Sequence, residues 1–440
     1  MGQPSPTGRG RWAGWAGACH EGHTGHHRSR VRAVPAKMGR MPPEPTAPAA
    51  PRGATVPAQP AEPAEPAVLV RREGALGRIT LNRPKAINAL TTGMVVAVDA
   101  ALRAWAVDDR VAAVLVDGAG GRGLCAGGDI RFFRDCALRG DPAPKAFWAA
   151  EYRLNALIST YPKPYVALMD GLVMGGGIGI SAHGATRIVT ERSVLSMPEV
   201  GIGFVPDVGG THLLARMPGE IGTHLALTGG RIGAADAIAC GLADHQLPGA
   251  ALPAFVAALR AAAAAGLGAG GADTLARRYA TPAAAGGPPA LAADRAWIDP
   301  CYRYDSVEEI LAALAASPVP AARAAGLEIA TKSPTALKVT LRALRAARTL
   351  PGLGACLDQE YRISCVLLGT HDLVEGVRAA VVDKDRSPRW SPDRLADVTA
   401  GDVERFFAPL GADELGLGPG GAGGSGSAGE AGRQVGEAVR

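Results

Sequence analysis

The chain has 440 residues, 47% of them hydrophobic, which suits one large domain or one domain with an appendage and excludes a fragment too small to build a core. Its formal charge is +5, but residues 1–66 hold eight Lys/Arg against four Glu, so most of the excess sits there and the rest is close to neutral. A near-neutral body gives no basis for a nucleic-acid-binding surface.

Seven cysteines (Cys19, Cys125, Cys136, Cys240, Cys301, Cys356 and Cys365) are scattered, odd in number and without a C-x-x-C pair. That favours reduced thiols in a cytosol-like compartment over a disulfide framework or a zinc site. A membrane helix needs roughly 18 uninterrupted apolar residues. The most apolar stretch, residues 164–182, is broken by Asp170 and five glycines, so the chain reads as soluble, with no membrane partner.

Residues 1–66 are dense in Pro, Ala, Gly and Arg and lack periodicity, which predicts a disordered tail. Residues 1–40 are rich in Arg and poor in acids, as in an organelle transit segment directing a protein to the mitochondrial matrix. No amphipathic helix pattern accompanies them, however. A low-complexity or overextended start, with Met38 or Met41 as initiator, is the plainer reading, and the expected location is cytoplasmic.

The α/β core is expected over residues 67–250. Residues 68–72 and 78–82 read as strands of a hairpin across Glu73–Gly77. Met94, Val98, Leu102 and Trp105 place one face of a helix over 92–106. Val111–Val116 reads as a buried strand, followed by a helix near 145–160 and strands at Tyr165–Met169 and Thr186–Thr190. From about residue 251 to 412 no strand is expected. That region reads as helical, with amphipathic stretches near 335–349 and 355–369 and a loose Ala/Gly-rich insert at 261–290. Residues 413–440 read as a second, Gly-rich tail.

Three glycine-containing segments carry possible chemistry. Gly123–Ile130 follows a strand, and its paired glycines would let backbone N–H groups approach a ligand, although an ordinary turn has the same composition. Gly171–Gly179 follows another strand and is expected to open a helix to about Gly184, whose unpaired N–H groups form an anion site. Residues 177–182 formally fit a dinucleotide pattern, but the next strand begins too soon for a full crossover helix. Ser181 lies outside any G-x-S-x-G elbow, so a serine nucleophile is not expected. The third segment, Met197–Gly210, holds Glu199 and Asp207 among Val, Ile and Phe. Its prolines and glycines exclude a regular helix, so both acids sit on a shaped loop. Burying a carboxylate is costly. Each acid could therefore be functional, or each could pair with an Arg or cap a helix, as Asp207 could for one starting near Gly209.

In this order, Ile79–Leu90, Cys125–Ile130, Pro164–Gly179 and Met197–Gly210 resemble the enoyl-CoA hydratase/isomerase (crotonase) superfamily. The resemblance spans roughly residues 68–410 and implies an α/β fold, a crotonase-like spiral of ββα units with a helical C-terminal region. It implies an acyl-CoA substrate, no further cofactor, no metal and a possible homo-oligomer. Its two oxyanion donors fall on the N–H groups of Gly128 and Gly176. The superfamily's hydratases share an acid at Glu199 but carry a catalytic Glu where this chain has Gly179 and a Gly where it has Asp207. With one flanking carboxylate missing, hydration is disfavoured. Glu199, Asp207, Ser181–Gly184, Ser333–Lys338, Glu360–Ser364 and Gly376–Trp390 together resemble the branch that hydrolyses short-chain hydroxyacyl-CoA thioesters. Glu199 and Asp207 are then the catalytic candidates, and Glu151 and Gly176 join them in binding substrate. His183 is left out, because a His on a short helix is more often a hydrogen-bonded core residue. Nothing near Cys125 suggests an activated thiolate.

Overall fold

The computed structural model describes residues 65–281 and 287–419; the expectations for residues 1–64 and 420–440 fall outside that range. The fold opens on an antiparallel hairpin, β1 (Val68–Glu73) and β2 (Leu76–Leu81), in which Val68 faces Leu81 and Glu73 faces Leu76. The turn is therefore tighter than expected, two residues long, and Gly74 supplies its positive φ. Helix α1 (Thr92–Ala106) follows. Thr91 accepts the Met94 N–H as its cap, and the inward residues are those its periodicity picked out.

Strand β3 (Ala113–Gly118) is followed by α2 (Ile130–Arg139), α3 (Ala143–Ser159), β4 (Tyr165–Met169), β5 (Leu172–Met174) and the one-turn α4 (Gly176–Gly179). After these come β6 (Thr186–Val189), β7 (Val194–Ser196), β8 (Arg231–Ile232) and β9 (His245–Gln246). Six strands form the main sheet in the order β1-β2-β3-β4-β6-β9, parallel from β2 onward, and β5, β7 and β8 form a second sheet.

The central strands β3 and β4 bury both faces, as their apolar runs require. Val114, Val116, Ala167, Met169 and Val189 pack with α1 and α3 in the larger core. Their alternates Leu115, Val166, Leu168 and Ile188 pack against Phe255, Leu259, Leu275 and Ala276. The latter four belong to helices Leu252–Ala264 and Gly271–Tyr279, so much of the stretch expected to be a loose insert is regular helix. Alanine is the strongest helix former, and the apolar side chains here recur at helical spacing under the sheet.

Among the described residues no strand follows β9, and the helices Pro334–Ala347 and Leu353–Leu367 occupy the two amphipathic stretches. The packed body runs beyond residue 412: Leu415 is buried, and the N–H groups of Leu417 and Gly418 donate to Asp358 at 2.9 and 2.8 Å. Helix α4 is shorter than expected, ending at Gly179 and continuing as turns. None of the described helices is long and apolar enough to cross a membrane.

Candidate active site

The site lies beyond the carboxyl ends of β3 and β4, where open α/β sheets bind their ligands. Two loops leave those ends and are stitched together. The Cys125 N–H donates to the Leu172 carbonyl, and the Met174 N–H donates back to Cys125. On its other side the first loop is held by residues 87–90: Leu90 donates to the Gly127 carbonyl, and Asp129 donates to Leu90. Asn88, fully buried, pins the start of that loop by donating to the carbonyls of Gly123 and Leu124 at 3.2 and 3.0 Å.

This stitching sets Gly128 beside Gly176. A Cβ on Gly176 would lie 3.4 Å from the Gly128 nitrogen and 2.6 Å from Glu151 Oε1, so a larger residue there would push the Glu151 carboxyl aside. Neither the Gly128 nor the Gly176 N–H donates to another group among the described residues. Gly176 opens α4, where the N–H is unpaired by construction. Two adjacent, uncommitted amide donors are the arrangement that binds a carbonyl oxygen as it becomes an oxyanion.

Gly128, Glu151, Gly176, Glu199 and Asp207 all line one cavity of about 580 Å³, so the five candidate residues come together. Glu151 enters from α3. Glu199 begins a 3₁₀ turn (Glu199–Ile202), and its Oε1 would lie 3.0 Å from a Cβ on Gly175. Both acids thus abut the turn that presents Gly176. Glu151 Oε1 and Glu199 Oε2 are buried without a hydrogen-bond partner. Asp207 does not cap the following helix: Gly209 is its N-cap, and Glu360 takes the N–H groups of Gly209 and Thr211 at 2.7 and 2.9 Å instead. Neither Glu199 nor Asp207 is in an ion pair with an Arg or Lys among the described residues, so the pairing and capping alternatives both fall.

The electrostatics follow from burial. Desolvation pushes Glu199 well above the usual carboxylate range, and the Asp207 charge adds to it. Glu151 is raised well above its ordinary value by the same two causes in the same order. Asp207 is pushed up to about 7 by burial, against the pull of a hydrogen bond from Tyr152. Three carboxyls in one dry space cannot all ionise at neutral pH.

His183 is partly buried, and its ring Nε2 lies 2.8 Å from the Val208 carbonyl. Burial pulls it down to about 4, so it is a neutral brace for the Asp207 loop. Burial pushes the Cys125 thiol up to about 12 and leaves it inert. Among the described residues no group of three or more His, Cys, Asp or Glu side chains could hold a metal ion.

Several residues here carried no role in the sequence reading. Tyr152, Ser364, Glu360 and Asn155 are buried polar groups around Asp207 and Gly179. Phe133, Trp148 and Phe204 form the apolar wall, Trp148 stacking on Phe204 with centroids 5.4 Å apart. One signal was available: Trp148, Glu151, Tyr152 and Asn155 share one face of α3, with two strongly polar residues on a face that is otherwise core.

Residues 76–407 match the enoyl-CoA hydratase/isomerase family, and the chain belongs to it. Among curated relatives, the 3-hydroxyisobutyryl-CoA hydrolase of Gallus gallus is 39% identical over 355 residues, which cover 80% of this chain and 91% of the relative. The Homo sapiens protein of that name is 36% identical over 361 residues, covering 79% and 90%. Among solved structures, a carnitinyl-CoA dehydratase from Mycobacterium thermoresistibile is 51% identical with a TM-score of 0.73, covering 79% of this chain and 98% of that one. An enoyl-CoA hydratase from Rhodobacter sphaeroides is 44% identical at the same TM-score, covering 80% and 99%.

Proposed function

We propose that the chain hydrolyses a short-chain hydroxyacyl-CoA thioester, 3-hydroxyisobutyryl-CoA foremost and 3-hydroxypropionyl-CoA second, to the free hydroxy acid and CoA, a step of valine breakdown. The observation that carries this reading is the placement of Glu199 and Asp207 in one cavity with two free amide donors, while position 179 has no room for an acid. A Cβ on Gly179 would lie 2.7 Å from Val208 Cβ and 2.8 Å from Asn155 Nδ2. The curated relatives' names support the same choice.

In this mechanism the N–H groups of Gly128 and Gly176 polarise the thioester carbonyl. Two roles are open to Glu199. Its carboxylate can attack the carbonyl carbon, forming a mixed anhydride as the C–S bond breaks, which water then hydrolyses to the hydroxy acid and free Glu199, or it can take a proton from water that attacks instead. In either case CoA leaves as a thiolate. Asp207 orients the substrate hydroxyl or the water, and Glu151 supports that network. Arg231, Lys332 and Arg386 line the same cavity and suit the phosphates of CoA.

A second reading, hydration of an enoyl-CoA, is favoured by the names of the two solved structures. A third, acyl-CoA binding without turnover, predicts saturable binding and no product. Release of free thiol from 3-hydroxyisobutyryl-CoA, run beside loss of crotonyl-CoA absorbance, decides among the three. Hydration without thiol release would sink the hydrolase reading. Single turnover in oxygen-18 water separates the roles of Glu199: label in its carboxylate marks the anhydride, and label in product alone marks the general base.

The curated relatives are also named mitochondrial. Their names favour residues 1–40 as a matrix-directing segment over a cytoplasmic location. Fractionation of cells expressing the full chain tests this.

A further inference from the structure

Tyr152 is fully buried on α3, and its hydroxyl has two partners. It donates to Asp207 Oδ2 at 2.8 Å and lies 2.8 Å from Ser364 Oγ. A phenol has one proton. With that proton on the Asp207 bond, Ser364 must donate to the phenol oxygen. The result is a directed chain, Ser364 to Tyr152 to Asp207, in which each bond polarises the next. Ser364 sits one turn after Glu360 on the helix Leu353–Leu367, and Glu360 holds the backbone just beyond Asp207. One helix therefore braces both the side chain of Asp207 and the loop that carries it.

Tyr152 is the one side-chain donor to Asp207 among the described residues, whereas Glu151 from α3, Glu199 from the preceding turn and Glu360 from the helix Leu353–Leu367 surround it with acids. A tyrosine serving only to fill the core could be phenylalanine without loss. Here the hydroxyl reaches a carboxylate that lines the cavity. We infer that Tyr152, held by Ser364, is a positioning residue for the hydrolysis, fixing the Asp207 carboxylate against the substrate. This rests on the reaction proposed above.

The test uses the full chain labelled with carboxyl-¹³C aspartate, the Asp207 signal being assigned through Asp207→Asn. Tyr152→Phe should move the Asp207 titration midpoint to higher pH, because the carboxylate loses its donor. It should also lower kcat for the hydroxyacyl-CoA by about tenfold, the value of one charge-assisted hydrogen bond, while KM changes by less than about twofold. Ser364→Ala should move both quantities the same way by less, and it carries the test if Tyr152→Phe does not fold. An unmoved Asp207 midpoint in a folded variant, or a loss confined to KM, overturns the inference. The titration needs no turnover. Failure of the unsubstituted protein to release thiol would overturn the reaction, and an unmoved midpoint would overturn the role of Tyr152.

Discussion

At the scale of single residues, the buried Glu199 and Asp207 repel one another, and that repulsion has a measurable sign. In the proposed reaction Glu199 must lose its proton to attack or to act as base, and burial together with the Asp207 charge raises the pH at which it does so. The acid limb of kcat/KM for thioester hydrolysis should therefore lie well above the ordinary carboxylate range. Asp207→Asn removes the charge, so Glu199 should ionise more easily. The limb should move to lower pH even as kcat falls, and a limb that stays put or rises would contradict the arrangement. Glu199→Gln keeps the shape of the side chain and removes both nucleophile and base. It should cost about a thousandfold in kcat while acyl-CoA still binds, as measured by calorimetry beside the thiol assay.

At the scale of elements, α3 and α4 both contribute to the cavity lining. Trp148, one turn before Glu151 on α3, packs on Phe204 and Phe133 and closes the apolar end of the cavity. Trp148→Phe should open that end, raising kcat/KM for hexanoyl-CoA relative to butyryl-CoA by about tenfold, the value of one or two methylenes in a fitted pocket. An unchanged chain-length profile would place the acyl group elsewhere. Gly179 in α4 sets the opposite limit. Gly179→Glu should not create a hydratase, because the new side chain must displace Val208 and Asn155. It should lower the melting temperature by several degrees, in keeping with an overpacking cost of about 1–3 kcal/mol, with no gain in crotonyl-CoA hydration.

The elements themselves were largely readable in the sequence. The hairpin, α1, the core strands and the helical C-terminal part follow from periodicity, and within the stretch expected to be a loose insert, 261–290, residues 261–264 and 271–279 were misread because alanine hides the amphipathic pattern that Leu259 and Leu275 reveal. The site was readable only as motifs. Glu360–Ser364 could be flagged, yet Glu360 lies 151 residues from Gly209 and Ser364 lies 212 from Tyr152, separations over which local pattern carries no information. Asp207 looked able to cap the next helix, and the fold gave that task to Glu360.

At the scale of the whole molecule, the acids of the cavity tie stability to pH. Asp207 is raised to about 7 and Glu360 to about 8, both by burial. An acid whose folded pKa is raised contributes stability that is full below its unfolded value and is lost as pH rises through the folded value. The melting temperature should therefore decline from about pH 4 to about pH 8 and level off above that, and Asp207→Asn should flatten the part of the decline between about pH 4 and pH 7. Thermal scans in matched buffers check this, and a melting temperature that rises across the interval would contradict the burial of these acids as charged groups.

The two amide donors stitched together by β5 and the loop before α2 have a further consequence, for how such a cavity can change over evolutionary time. Because the proposed oxyanion cradle is made of peptide bonds, no single substitution short of proline deletes a donor; most can only displace it. The side chains above it, by contrast, are free to be exchanged one codon at a time. Selection can thus change the surrounding side chains while the two amide donors stay in place, except where neighbours block the exchange, as Val208 and Asn155 do at Gly179. Replacing either peptide bond by an ester through semisynthesis would reach the part of the apparatus that ordinary mutagenesis cannot.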